Sequence, residues 1–253
     1  MMNWITGKDL EILVKPGSRV YVGASTNEPH GLLNSLDFAD GLRFVQMPLA
    51  VVNKYDLSQL GKNSSEETFF MSPFLREGIA AGRVKFIPMQ MRAVYDYIAT
   101  QQIDIALLLA ANDINGELRY GPNIDFVGAA LESAKLIIVE VSDAFVSPIG
   151  SMLVGESPDY LFKSQTPPAI FPSVEIDPVS EAIGRQVTAL IRDGDCIQTG
   201  IGAVPAAILA GLGDKNDLGL HSGIVDDGAM RLIIDGNMNG ASKAIDQGLH
   251  FTG

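Results

Sequence analysis

Gly200-Ile201-Gly202-Ala203-Val204-Pro205 is the segment whose spacing points most directly to chemistry. Two glycines stand between an apolar strand pattern and a helical pattern. At such a turn the backbone N–H groups point outward and the helix N-terminus favours anions. Glycine also lets the backbone approach a phosphate or an oxyanion closely. The pattern departs from the dinucleotide fingerprint, because Pro205 stands where that motif runs on to its third glycine. A ribose-binding acid at the usual spacing is absent too, which weighs against a nucleotide-binding oxidoreductase. His30, His221 and His250 show no metal-ligand spacing to one another, which argues against zinc. Cys196 lies in an apolar run and reads as a small buried thiol. Ser25, His30 and Asp37 have the residue types of a hydrolytic triad, but no G-x-S-x-G frames the serine. Phe69-Phe70-Met71 with Phe74 reads as packing, and Glu66-Glu67 as a solvated loop.

These residues need elements to position them. The chain has 253 residues, 47% hydrophobic and 19% charged, a globular composition that excludes disorder as its main state. The net charge of −12 is a poor match for nucleic acid or an anionic membrane, since both need a cationic footprint. A single cysteine excludes an internal disulfide framework. No apolar run reaches the ~20 residues of a membrane span, and no signal peptide is visible, so the reading is cytoplasmic. Short apolar runs at 19–23, 42–49, 103–109 and 136–141 read as buried strands. Helical patterns at 73–81 and 126–133 lie between them. The expected fold is α/β, a mostly parallel sheet with flanking helices. Six of the thirteen prolines fall within 143–178, which reads as loop and linker. Pro178 then opens an amphipathic helix that Gly194 is expected to cap.

The chain also repeats itself. Lys15-Pro16-Gly17-Ser18-Arg19-Val20-Tyr21-Val22-Gly23, then Pro29 and an apolar helical run, matches Arg192-Asp193-Gly194-Asp195-Cys196-Ile197-Gln198-Thr199-Gly200, then Pro205 and a similar run. The offset is 177 residues at the glycine and 176 at the proline, so the first copy carries one extra residue, aligned at Glu28. Residues 42–49 match 218–225 in turn. The expected organisation is therefore a first domain over 1–177 and the beginning of a second over 178–253. By its own period this second copy is incomplete, and it needs a docking surface on the first domain or on another chain. The alternative is that residues 192–253 extend the first sheet.

Gln198 to Pro205, followed by Asp217-Leu218-Gly219-Leu220-His221-Ser222, resembles the acetyl-CoA hydrolase/CoA-transferase family, which includes 4-hydroxybutyrate and butyrate:acetate CoA-transferases. Phe74-Leu75-Arg76-Glu77, Asp104-Ile105-Ala106-Leu107 and Ala134 to Val141 resemble segments of the family's first domain. The resemblance implies two domains of similar fold, with a CoA thioester and a short-chain carboxylate as substrates. No permanently bound cofactor or metal is implied. It also implies a homo-oligomer, or a partner chain that supplies the rest of the second domain.

The family chemistry is nucleophilic catalysis by a glutamate, passing through an acyl-glutamyl anhydride and a glutamyl-CoA thioester. The backbone of Gly200, Ile201, Gly202, Ala203 and Val204 matches the family's CoA-binding loop. The glutamate follows the His-Ser or His-Thr pair, and here the residue after His221-Ser222 is Gly223. Asp226 and Asp227 are the next carboxylates but match an acidic turn before a helix. Glu28 is the alternative nucleophile, on the loop after the first strand; ligands of such sheets bind outside the carboxyl ends of the strands. If the two copies face each other, that loop is expected near the glycine turn. The sequence thus supports CoA transfer or acyl-CoA hydrolysis, with a non-catalytic acyl-CoA-binding protein or one part of a split transferase as the alternative.

Overall fold

A computed structural model describes residues 3–252. The chain divides into two compact units, residues 1–172 and 173–253. The sequence placed this division at 177/178, at the start of the second helix-forming pattern. Residues 165–177 carry no regular structure, so the boundary lies within an extended connection.

The first unit is built on a nine-stranded sheet. Its strands are β1 (Asn3–Ile5), β2 (Arg19–Val22), β3 (Arg43–Gln46), β4 (Ser65–Thr68), β5 (Val84–Phe86), β6 (Ile103–Asn112), β7 (Leu118–Tyr120), β8 (Ala134–Ser142) and β9 (Tyr160–Ser164). The order is β1-β9-β8-β6-β2-β3-β4-β5, parallel throughout, with β7 pairing antiparallel to β6. The chain first moves outward from β2 through β3, β4 and β5. It then returns to the other side of β2 as β6 and moves outward again through β8 and β9. The strand order therefore reverses between β2 and β6, where an open α/β sheet leaves a crevice at its carboxyl end.

Both faces of the sheet are covered. Helices α4 (Met91–Thr100) and α5 (Val127–Ser133) pack Val94, Ile98, Val127 and Ala130 against Tyr21, Val45, Leu108 and Val139. Helices α1 (Gly7–Leu13) and α2 (His30–Leu33) pack Leu10, Leu32 and Leu33 against Val22, Phe44, Leu107 and Ile138. Burial on both sides is why β6 reads Ile-Asp-Ile-Ala-Leu-Leu-Leu-Ala-Ala-Asn, with scarcely a polar position. Helix α3 (Arg76–Ala80) follows a 3₁₀ turn at Pro73–Leu75, where Ser72 Oγ accepts from Phe74 N–H. At the amino ends of the strands, Arg19 bonds Gln101, Tyr97 and Glu67, while Asp104 accepts from Arg19 N–H and Lys135 Nζ.

The second unit holds α6 (Pro178–Thr188), β10 (Cys196–Ile197), α7 (Ala203–Ala210), β11 (Gly219–Leu220) and α8 (Asp227–Ile234). Strands β10 and β11 form a separate two-stranded parallel sheet, so this segment does not extend the first sheet. The β2–β3 and β10–β11 pairs are both parallel neighbours, as a repeated strand–turn–helix–strand unit requires. The core of this unit is Leu209, Leu212, Leu218, Leu220, Ala229, Leu232 and Met238.

Four sequence expectations change. The proline-rich stretch contains β9, because Tyr160 to Ser164 has its own prolines only outside the strand. Gly194 does not cap α6, which ends at Thr188 with Ala189 as its cap. It instead takes φ +82° in the turn into β10. Cys196 is exposed, because a two-residue strand in a two-stranded sheet leaves it uncovered. Glu66 and Glu67 form strand β4, and Glu66 is buried.

Leu107 sits at the centre of the α1/α2 face, fully enclosed. Leu107→Ala is expected to lower unfolding free energy by about 2–5 kcal/mol in urea denaturation. Ile12→Ala, at a side chain largely in solvent, is expected to stay within about 0.5 kcal/mol.

Candidate active site

The loop after β2, residues 23–29, lies at the carboxyl end of the strand beside the reversal point. It is held from several directions. Gly23 N–H donates to Leu107 O of β6 at 2.9 Å. Asn53 clamps Ser25: its Oδ1 accepts Ser25 N–H at 2.9 Å and its Nδ2 donates to Ser25 O at 2.9 Å. Ser25 has φ +53°, a left-handed conformation that a non-glycine residue adopts at a cost of about 1–3 kcal/mol. The Asn53 clamp overrides that cost.

Glu28, within this loop, is only 1% exposed. Its Oε1 accepts from Gln46 Nε2 at 2.9 Å, and its Oε2 lies 2.8 Å from His30 Nε2. Gln46, the last residue of β3, also donates to Gly23 O at 3.2 Å. The imidazole of His30 packs against Tyr55 with ring centroids 5.4 Å apart. The candidate nucleophile is therefore an enclosed carboxylate with a partner on each oxygen. Attack on a thioester from this position requires the loop to open.

Two further glutamates lie on the same face: Glu140, which the sequence reading does not single out, and Glu66, which it takes as solvated. Glu140 of β8 accepts Leu32 N–H at 2.8 Å and sits against Gly31, where a Cβ would approach Glu140 Oε1 to 2.7 Å and Ser164 Oγ to 2.6 Å. Burial pushes its carboxyl above the ordinary range, against the hydrogen bonds it accepts. Glu66 of β4 accepts Leu57 N–H at 3.0 Å. Burial, with the charges of Asp56 and Glu28, pushes it up to about 8. The signal in the sequence was faint: Ser-Glu-Glu-Thr is polar throughout and only its burial alternates, and one glutamate lies inside the apolar run 136–141.

Asn27 is also buried, and neither atom of its amide has a hydrogen-bond partner. A Cβ at Gly121 would collide with its Oδ1, so glycine is required there. A buried unsatisfied amide costs about 1–3 kcal/mol, which marks the loop as one kept for more than stability. The triad types in this region do not assemble: His30 pairs with Glu28, and Ser25 is engaged through its backbone by Asn53.

In the second unit, β10 leads through Thr199 and Gly200 into α7. Gly202 has φ +128°, a conformation closed to side-chain-bearing residues, and a Cβ there would meet no atom within 4 Å. The first turn of the helix is open at its amino end, and Pro205 removes one of the N–H groups that would otherwise lack a partner. Ser222 Oγ donates to Thr199 O at 3.1 Å and accepts Thr199 N–H at 3.2 Å, tying the ends of β10 and β11 together. His221 is exposed, its ring stacked on Phe251 with centroids 5.4 Å apart. Gly223 has an ordinary φ and open space around its Cβ position. Asp226 caps α8 by accepting Ala229 N–H at 2.9 Å. Among the described residues, no group of three or more His, Cys, Asp or Glu is placed to hold a metal ion, and no helix is long and apolar enough to cross a membrane.

Residues 4–150 match the family described as acetyl-CoA hydrolase/transferase N-terminal domain. The 4-hydroxybutyrate coenzyme A transferase of Clostridium kluyveri is 29% identical, over 96% of this chain and 59% of its own length. The probable butyrate:acetyl-CoA coenzyme A-transferase of Syntrophomonas wolfei is 31% identical, over 54% of this chain and 32% of its own. RipA from Yersinia pestis shares the fold, with a TM-score of 0.84 at 24% identity, over 99% of this chain and 63% of RipA. The chain thus spans about three fifths of the length of these longest matches.

The carboxyl groups set opposing pH dependences. Hydrogen bonds hold Asp104, Asp113 and Asp177 below the ordinary carboxylate range, so their contribution is lost as pH falls through that range. Burial raises Asp125 to about 6 and Glu66 to about 8, and raises Glu140 as well, so their contribution is complete at acid pH and is lost as pH rises through these raised values. Denaturation midpoints are expected to peak near about pH 5 and to decline steadily to about pH 8. Gln46→Leu leaves Glu28 buried without its amide donor and is expected to cost about 2–3 kcal/mol at neutral pH, read by urea denaturation.

Proposed function

Since the chain belongs to the acetyl-CoA hydrolase/transferase N-terminal domain family, we propose that it binds an acyl-CoA thioester and serves transfer of CoA to a short-chain carboxylate, or hydrolysis of the thioester. The observation that carries this reading is the Gly200–Val204 turn. It pairs an open helix N-terminus with a glycine at φ +128°, a combination suited to phosphate or thioester oxygen. In this reading the backbone of Gly200, Ile201, Gly202, Ala203 and Val204 contacts CoA. Glu28 is the carboxylate available for covalent chemistry once its loop opens.

Covalent transfer would begin with the Glu28 carboxylate attacking the thioester carbonyl. The C–S bond breaks, CoA leaves as thiolate, and an acyl-glutamyl anhydride remains. Thiolate attack on the glutamyl carbonyl then releases the first carboxylate and leaves a glutamyl-CoA thioester. An acceptor carboxylate attacks that thioester and expels CoA thiolate, leaving a second acyl-glutamyl anhydride; the thiolate then attacks the acceptor's acyl carbonyl, and the Glu28 carboxylate leaves. Gln46 and His30, which hold the Glu28 oxygens in the closed arrangement, must release at least one of them. No permanently bound cofactor enters these steps. The reading assigns the chain to the cytoplasm, where the exposed thiol of Cys196 stays reduced, and to a homo-oligomer.

Gly223 favours a second reading. Open space stands where the resemblance sets a glutamate, which suits binding without covalent chemistry. This is the non-catalytic acyl-CoA-binding protein, or one part of a split transferase.

Mass spectrometry of the chain after incubation with acetyl-CoA or succinyl-CoA, followed by borohydride or hydroxylamine trapping, decides between them. Covalent transfer predicts a modified Glu28 that disappears in Glu28→Ala. CoA binding with no trapped species supports the second reading, and no binding to CoA contradicts both. Gly202→Val cannot adopt φ +128° without strain and is expected to weaken CoA binding at least about tenfold in calorimetric titration. Gly223→Glu is expected to fold with an unchanged melting temperature, because its side chain enters open space.

A further inference from the structure

Among the buried polar atoms without a partner are Gln46 Oε1 and Glu66 Oε1. They belong to adjacent strands. The β3–β4 register pairs Phe44 with Glu66 and Gln46 with Thr68, which sets Gln46 and Glu66 on one face as diagonal neighbours. Long side chains reach one another at that separation. Both orphan atoms are acceptors when Glu66 is ionised. A proton on Glu66 turns the two into a donor and an acceptor.

That proton also decides which way the Gln46 amide points. The amide nitrogen of Gln46 serves Glu28 Oε1 and Gly23 O, so its oxygen must face the opposite way. A hydroxyl on Glu66 rewards this orientation, whereas a carboxylate would draw the amide nitrogen away from Glu28. We propose that Glu66, as a carboxylic acid, is a positioning residue that orients the Gln46 amide, directly or through one buried water, and through it holds Glu28 and the loop after β2 in place. The bearing of this device on catalysis rests on the reading of Glu28 given above; the positioning itself does not.

The surroundings favour the neutral acid. Asp56 and Glu28 both face Glu66 with negative charge. Across the same face lie Glu140, itself raised by burial, and His30, which is engaged by Glu28. Helix α3 packs Gly78 against Asp56, and beyond it Arg83 pairs with Glu77 rather than with Glu66. Among the described residues no cation pairs with Glu66, and burial pushes its carboxyl up to about 8. One more acceptor bond, from Leu57 N–H, falls on its other oxygen and leaves Oε1 free for the proton.

Three measurements on the full chain test this. Infrared spectroscopy at neutral pH is expected to show a buried carboxylic C=O stretch that is missing from Glu66→Gln and fades in the wild type as pH rises through about 8. Glu66→Gln keeps a donor for Gln46 and is expected to leave the His30 imidazole resonances near their wild-type positions, while reducing the loss of melting temperature on the alkaline side by the share that belongs to Glu66. Glu66→Leu has no donor and is expected to shift the His30 resonances, since the disturbance travels through Gln46 and Glu28. An unchanged infrared band in Glu66→Gln, or unmoved His30 resonances in a folded Glu66→Leu, overturns the proposal. If Glu66→Leu does not fold, the infrared band and the pH profile of Glu66→Gln still decide. A chain that passes these tests while Glu28 never traps acyl or CoA refutes the catalytic reading alone.

Discussion

Burying the Glu28 carboxylate at the point where the strand order reverses is the constraint around which the first unit is arranged. A buried carboxylate needs donors, and here each comes from a different element: Gln46 from the end of β3 and His30 from the start of α2. Those donors need places of their own. Gly31 is small so that Glu140 and Ser164 can pack beneath the first turn of α2, and Glu140 in turn accepts Leu32 N–H. Ser25 is kept left-handed by Asn53, which completes the path of the loop back to Glu28. Removing any one of these groups leaves another polar atom buried without a partner, which is why the arrangement behaves as a unit.

The second unit applies the same topology with different chemistry. Its β10–turn–α7–β11 path repeats β2–turn–α2–β3, yet the turn carries glycines and open space in place of a buried acid. Gly200, Gly202 and Gly223 leave backbone exposed at the carboxyl ends of β10 and β11. Thr199 and Ser222 hold those two ends together through one hydroxyl. One copy of the repeat thus presents an enclosed carboxylate, and the other an open set of backbone donors.

Much of this was legible from sequence. The apolar runs at 19–23, 103–109 and 136–141 mark the central strands because parallel strands covered on both faces have few polar positions. The internal repeat located the two turns, and the Glu28 and Gly200–Val204 segments follow from it. Beyond these, the signals were tertiary. Ser-Glu-Glu-Thr is polar enough to read as a loop, and it becomes β4 only because β3 and β5 supply ladders on either side. Glu66 and Glu140 are visible as residues but not as a cluster, since their proximity to the β2 loop depends on strand order. Cys196 was misjudged because apolar neighbours in sequence imply burial only when a full sheet stands over them, and β10–β11 is two strands wide.

The central claim is that the carboxyl ends of these parallel strands receive an acyl-CoA. The most direct measurement is amide nuclear magnetic resonance of the isotope-labelled chain titrated with CoA. The account predicts saturable shifts at Gly200, Gly202, Ala203 and Val204, with Asn27 and Glu28 responding when the acyl thioester replaces free CoA. Shifts confined to the amino ends of the strands, around Arg19 and Asp104, or no shifts at all, would contradict it.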